Sequence, residues 1–277
     1  MKNQKNKYKS FEREAKVLMV DLEVSPSLGY TYGQYQTNVI KVERPPVLLS
    51  FAWKWLGEKE THCLTLHDRA TVQQGDDSLL VKELWNLIDE CEVFVAHNVR
   101  FDQKMANAFF LRHGLTPASW YKTFCTLQTA RRYFKLDNNK LDYLGQLLGV
   151  GRKTAITNHD VWYDCLIHDD EKAWKKLARY NIQDVVLLEK IYKKLLPFAT
   201  NHPNGALSAG REDICPRCMH QSEFSIKAYR KTGTQVNAIQ VQCRNCHGYI
   251  TRPLTKEERE ELDYHGKLKS FYRNITN

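Results

Sequence analysis

The apolar positions of this chain fall first into short runs and later into helical stripes. VLMVDLEVSP (17–26) predicts a buried strand, and VLLSFAWKWL (47–56) and THCLTLHD (61–68) predict two more, parted by a turn at GEKE (57–60). In DDSLLVKELWNLIDE, residues Leu79, Leu80, Leu84, Leu87 and Ile88 recur at helical spacing behind two acids, which predicts an amphipathic helix. EVFVAHN then predicts a short buried strand, and RFDQKMANAFFLRHG a helix stopped by Gly114. NNKLDYLGQLLGVG predicts a short capped helix, and DDEKAWKKLARYNIQDVVLLEKIYKKLL a long helical stretch ending at Pro197.

Strands first, then strand and helix in alternation, predict an α/β fold: a mixed sheet flanked by helices. The order resembles a ribonuclease H-like fold. Residues 198–213, FATNHPNGALSAGRED, are rich in Pro, Gly, Ala and Asn and read as a linker. The expected division is a ribonuclease H-like domain at 1–197, the linker at 198–213, and a small C-terminal domain at 214–277. The closing TKEEREELDYHGKLKSFYRN opens on a threonine cap and a Glu-rich first turn, so part of it is expected to be helix.

Composition adds little to the fold and something to the partner. With 42% hydrophobic and 26% charged residues over 277 positions, the chain reads as a globular protein of one sizeable domain and a smaller one. A net charge of +9 favours a polyanionic partner. No apolar run approaches the roughly 20 residues of a membrane helix, and no signal-type segment follows the basic start, so a cytoplasmic protein without membrane contact is expected.

The first strand carries its own problem. Asp21 and Glu23 stand two apart and so on one face, where adjacent carboxylates repel and are costly to bury without a cation or a shared proton. Glu23 lying beyond the strand end, in water, is the other reading. Two further acidic positions bear on the choice. Asp102 lies just past the strand VFVAHN at a helix start, and Tyr180 and Asp184 in YNIQD share a helix face at i, i+4. Four carboxylates on or beside buried elements are what a two-metal phosphodiester hydrolase requires, with oxygen ligands suited to Mg²⁺ or Mn²⁺.

DLE, HNVRFD and YNIQD occur in the order and residue types of the three motifs of DEDD-type exonucleases. Over about residues 15–197 the chain resembles a DnaQ-like 3′-5′ exonuclease of the subgroup with tyrosine in the third motif. The resemblance implies that Asp21 bridges two Mg²⁺ or Mn²⁺ ions, that Glu23 and Asp184 complete one of them, and that Asp102 serves the other. It implies that Tyr180 orients the attacking water, and that Asn98 and the backbone beside Leu22 meet the terminal nucleotide. Phe101 fits the same substrate-binding pattern, although core packing is the commoner role of such an aromatic. His97 is expected to be a hydrogen-bonded structural histidine.

Cys215, Cys218, Cys243 and Cys246 form C-x2-C-x24-C-x2-C. Two such knuckles suit one tetrahedral structural Zn²⁺, with EFSIKAYR and VNAIQVQC as a hairpin turning at KTGT, in the manner of a zinc ribbon. A redox pair is the alternative, and His220 or His247 could replace a cysteine. Cys63, Cys91, Cys125 and Cys165 are scattered and read as small core residues. The ribbon interleaves Arg217, Lys227, Arg230, Lys231, Arg244 and Arg252 with Phe224, Tyr229 and Tyr249, a pattern open to nucleic acid, a protein partner or plain solvation.

Trp53 and Trp55 would share a face, in the core or stacked on bases. Lys135, Lys140, Arg152 and Lys153 occupy loops and either contact phosphates or are solvated. The resulting expectation is a metal-dependent 3′-5′ exonuclease acting on single-stranded or frayed DNA 3′ ends, with the ribbon holding substrate or a replication or repair protein. An RNA-trimming exoribonuclease is the alternative enzyme, because discrimination would rest on contacts to the 2′-OH. A non-catalytic nucleic-acid-binding scaffold is the alternative outside enzymes.

Overall fold

The computed structural model describes residues 15–264 apart from 36–37, 70–75, 154–159, 205–213, 222, 233–234 and 255. The described residues form two compact units, one of 15–195 with 201–203, the other of 196–200 and the chain from 204 onward. Most of the expected linker, 205–213, lies outside the described residues, as does the threonine cap at 255. Among the described residues no helix is long and apolar enough to cross a membrane.

The larger unit is built on β1 (Val17–Val24), β4 (Leu48–Trp55), β5 (His62–Thr65), β6 (Val93–Ala96) and β7 (Lys122–Cys125), in the order β5-β4-β1-β6-β7. β1 runs antiparallel to β4 and parallel to β6, and β6 runs parallel to β7, giving the mixed sheet of a ribonuclease H-like fold. Between β1 and β4 the chain leaves the sheet as a separate two-stranded hairpin, β2 (Leu28–Tyr30) and β3 (Lys41–Arg44).

Period-two alternation in β1 sorts its side chains. Leu18, Val20 and Leu22 join a core with Leu80, Leu84 and Ile88 of α2 (Ser78–Glu90) and Ala106, Phe109 and Phe110 of α3 (Val99–Arg112). Met19, Asp21 and Glu23 point to the other face, where α7 (Glu171–Leu195) crosses β1 and β4. Each fully buried aliphatic here contributes about 1.5–3 kcal/mol, so the register of β1, and hence the direction of Asp21, is held firmly. α7 begins where Asp170 Oδ1 accepts from Lys172 N at 2.9 Å, an N-cap bond.

Trp53 and Trp55 are half-buried and pack on the core rather than forming an open platform. Lys54 between them points the other way, into a buried ion pair with Glu189 of α7 at 2.6 Å. Asp77, buried at the start of α2, gathers Leu48 N, the Arg112 guanidinium and His113 Nε2, tying α2, α3 and β4 together.

The smaller unit holds a three-stranded sheet of β8 (Phe224–Thr232), β9 (Gln235–Cys243) and β10 (Tyr249–Pro253) in the order β10-β9-β8. β8 and β9 are the expected hairpin; β10 was not anticipated by the sequence reading. A small core of Ile239, Val241 and Leu254 backs the sheet. The C-terminal helix α8 spans Lys256–Tyr264, and the rest of the expected helical tail lies outside the described residues.

Candidate active site and metal centre

β1 and α7 bring three of the four expected acids together. Oxygens of Asp21, Glu23 and Asp184 all lie within 4.8 Å of one another. Asp21 and Glu23 are partly buried at the end of the sheet, and Asp184 is fully buried. Glu23 is therefore part of the cluster and not a solvated acid beyond the strand. Trp162 Nε1 donates to Glu23 Oε2 at 3.3 Å and fixes that side chain from outside the sheet.

Asp102 stands beside this trio and is not one of its three members. It is buried at the first turn of α3 and takes backbone N–H bonds from Leu22 and from its own residue. The Leu22 side chain lies in the core. Asn98 precedes α3 in the left-handed region, φ 75°, and is exposed. Phe101 is 47% exposed, so the core-packing role considered for it does not hold. The buried stripe of α3 is Val99, Asp102, Ala106, Phe109 and Phe110, and Phe101 lies off it. His97 Nδ1 is 2.9 Å from Thr126 Oγ1, and burial pushes its pKa down to about 4, in line with a structural histidine.

Two residues were not assigned to the carboxylate site from the sequence. Asn181, fully buried beside Tyr180, donates from Nδ2 to Asp21 Oδ2 at 2.8 Å and to Asp21 O at 3.0 Å, while its Oδ1 accepts from Ser50 Oγ at 3.1 Å. Its place within YNIQD was the available signal. Lys153 is the other. Its Nζ forms an ion pair with Asp184 Oδ2, donates to Tyr180 Oη at 2.9 Å and lies 4.9 Å from the Tyr180 ring centroid. Lys135, Lys140 and Arg152, read together with it, are exposed.

The loop that delivers Lys153 is held at several points. Asp142 Oδ1, on the helix α5 (Leu141–Leu147), accepts from Lys153 N at 2.7 Å, and Gln183 of α7 donates to Arg152 O at 2.8 Å. A Cβ on Gly145 would sit 2.6 Å from Gly151 O, so only glycine there lets the loop pass this close to α5.

Crowded carboxylates leave a clear electrostatic mark. Burial, then the charges of Asp184, Asp102 and Glu23, hold the Asp21 carboxyl well above the usual carboxylate range. Glu23 is pushed up to about 7, first by burial and then by Asp184, with the Trp162 bond and Lys153 pulling against them. Asp102 is also pushed to about 7 by burial. Asp184 rises through burial although Lys153 opposes it. For Lys153, burial works against the charge, but Asp184 and the bond to Tyr180 outweigh it and keep the ammonium charged.

These residues fit divalent cations. The donors are hard carboxylate oxygens, gathered within 4.8 Å, and buried Asp184 already draws the Lys153 ammonium to its Oδ2. Several acids raised by burial and by one another's charge are the state that a bound cation relieves.

The four paired cysteines also converge. Their sulfurs lie within 4.8 Å of one another, with Cys215 Sγ to Cys246 Sγ and Cys218 Sγ to Cys243 Sγ each 3.9 Å. The edge of a tetrahedron of sulfurs about 2.3 Å from a zinc ion is roughly 3.8 Å. The two knuckles share one backbone pattern. Met219 N donates to Cys215 O and Cys215 N to His220 O; His247 N donates to Cys243 O and Cys243 N to Gly248 O. Met219 and His247 both take the left-handed conformation, φ 59° and 60°. His220 Nδ1 is turned to Cys218 O at 3.0 Å, and neither histidine belongs to the sulfur cluster.

The basic residues of the ribbon are less free than their sequence pattern suggested. Arg217 is buried and donates to Pro197 O and Tyr249 O, both at 2.6 Å. Arg252 forms a two-pronged pair with Glu258, and Arg244 pairs with Glu223.

The family model described as the RNase_H superfamily matches residues 49–196. That span takes in Asp102, Tyr180 and Asp184 and begins after Asp21 and Glu23. No curated protein matches the chain.

Proposed function

Because the chain belongs to the RNase_H superfamily, a superfamily of nucleases, we propose that it is a metal-dependent 3′-5′ exonuclease acting on single-stranded or frayed DNA ends. One observation carries this reading: Asp21, Glu23 and Asp184 converge within 4.8 Å beside Tyr180, Lys153 and Asp102. Asp21, Glu23 and Asp184 would hold one Mg²⁺ or Mn²⁺, and Asp21 with Asp102 a second. When bound, such ions supply positive charge against the phosphoryl oxygens and make a water more acidic.

The chain's own groups do the rest. Burial, then the Asp184 charge, raises the Tyr180 phenol above its ordinary value, with the Lys153 bond acting the other way, so Tyr180 keeps its proton at neutral pH. A phenol that keeps its proton orients a water by hydrogen bonding and does not act as a general base. Its oxygen accepts from Lys153 Nζ at 2.9 Å and its O–H bonds to the Asp184 carboxylate, which holds the phenol against the cluster. Lys153 carries a fixed positive charge beside the carboxylates, where the scissile phosphate of a bound strand would lie. Asn98 and Phe101, exposed where α3 begins, would contact the terminal nucleotide.

In the smaller unit, Cys215, Cys218, Cys243 and Cys246 would hold one structural Zn²⁺, four sulfurs leaving no open position for chemistry. Linear and circular single-stranded DNA of one sequence test the exonuclease reading. With Mn²⁺ present, acid-soluble nucleotides should appear from the linear strand alone. Cleavage of the circle would mean internal cutting and would overturn the exonuclease reading.

A further inference from the structure

Large apolar side chains are normally exposed singly, yet the β2–β3 hairpin presents seven of them at half exposure or more: Leu28, Tyr30, Tyr32, Tyr35, Val39, Ile40 and Val42. Tyr30 is 59% exposed, Tyr32 83% and Tyr35 93%. A two-stranded ribbon has little stability of its own, so such a surface asks for an occupant.

The hairpin begins beside the active site. Ser25, two residues after Glu23, is buried; its N donates to Val47 O at 3.0 Å and its Oγ accepts from Val47 N at 2.9 Å. This clasp fixes both ends of the hairpin to the end of β1 that carries Asp21 and Glu23.

Register sorts the two faces. Tyr30 pairs with Lys41, Gly29 with Val42, and, across a bulge, Leu28 with Arg44. Residues directly opposite share a face, so Leu28, Tyr30, Lys41 and Arg44 stand together. On the second face Val39 closes over Gly29, where an added Cβ would lie 2.6 Å from Val39 Cγ1. The first face therefore combines an aromatic and an aliphatic side chain with two cations. Only one acid, Glu43, lies in the hairpin, 3.6 Å from Lys41 Nζ. Among the described residues Arg44 has no ion-pair partner, and its Nε is buried without an acceptor.

We propose that this hairpin holds the single-stranded nucleic acid leading away from the active site, with bases on Tyr30, Tyr32 and Tyr35 and phosphates on Lys41 and Arg44. The proposal rests on the exonuclease reading for the placing of the strand's 3′ end. Charge complementarity selects the occupant. An apolar protein partner would leave Arg44 desolvated and unpaired, whereas a strand supplies phosphates for the cations and π-faces for the tyrosines.

Fluorescence anisotropy of the full chain with a labelled single-stranded DNA 15-mer in EDTA tests this, with circular dichroism confirming the fold of each variant. Combined Tyr30→Ala and Tyr32→Ala should weaken binding by roughly 30-fold or more. Combined Lys41→Gln and Arg44→Gln, an independent pair of changes, should lower the slope of log K against log salt by about 1.4. Affinity within twofold of wild type for the first pair, together with an unchanged slope for the second, would overturn the proposal. So would an altered oligomeric state in the aromatic variant with strand binding unchanged. Cleavage by the wild type in Mn²⁺ is scored separately. No cleavage with hairpin-dependent binding removes the exonuclease reading alone, and cleavage with hairpin-independent binding removes the hairpin alone.

Discussion

Asn181 of α7 donates from Nδ2 to Asp21 Oδ2 at 2.8 Å while its Oδ1 accepts from Ser50 Oγ at 3.1 Å. Ser50 sits on β4 opposite Glu23, so a fully buried amide links both strands of the site to the helix that brings Asp184. One oxygen of Asp21 is thereby committed to Asn181. Loss of groups that orient metal ligands typically costs 10–100-fold in affinity or activity. Asn181→Ala should therefore weaken Mn²⁺ binding, read by electron paramagnetic resonance without substrate, by about that factor, and Ser50→Ala by less.

Tyr180 and Lys153 should separate in their effects. Tyr180→Phe keeps the ring and removes the group proposed to orient water, so single-turnover cleavage should fall on the order of 10²-fold. Mn²⁺ affinity should stay within about twofold, because the phenol is not among the proposed ligands. Lys153→Met removes the charge paired with Asp184, and both the rate and the metal affinity should change. A Tyr180→Phe enzyme with an unchanged single-turnover rate would remove the water-orienting role.

The burial and crowding of the acids should be visible as a pH-dependent cost to the metal-free fold. Burial, then Asp184, raises Glu23 from 4.5 to about 7. Between those values the folded chain keeps a proton that the unfolded chain has released, so stability falls as pH rises through this window. Below it Glu23 contributes nothing, and above it the loss is complete. In EDTA, Glu23→Gln should melt with the wild type near pH 4 and at a higher temperature than the wild type at pH 7.5. Equal melting temperatures at pH 7.5 would mean that Glu23 carries no such cost.

The sulfur cluster predicts one zinc per purified chain and its loss in Cys218→Ser, measured by elemental analysis. Zinc-free protein whose four thiols react freely at native pH would contradict it.

How much of this was legible depended on whether a residue's role lay in a local pattern. The run VLMVDLE already contained the strand, its buried face and the direction of Asp21, because period two settles all three. YNIQD on a helical stripe placed Tyr180 and Asp184 on one side of α7. The four cysteines were legible through their spacing. Lys153 was not, since a lysine in a loop looks the same whether it meets water or a buried carboxylate; only Asp142, Gln183 and the close passage at Gly145 decide it. The edge strand β7 and the helix Thr126–Tyr133 that follows it were missed because KTFC is short and half exposed. The β2–β3 ribbon was missed because its apolar residues face outward and give no core alternation. Phe101 was weighed as a core residue on type alone, although its position off the stripe of Asp102, Ala106 and Phe109 already spoke against that. Arg217 is the reverse case: it read as surface charge and is buried against two carbonyls.

The central claim is that the carboxylate cluster around Asp21 hydrolyses nucleic acid from a 3′ end. Its most direct test is a sequencing gel of 5′-labelled single-stranded DNA and RNA of one sequence, incubated with Mg²⁺ or Mn²⁺ and either the wild type or Asp21→Ala. The account predicts a ladder shortening from the 3′ end of the DNA with the wild type alone. No shortening of either strand, or equal shortening by Asp21→Ala, would contradict it.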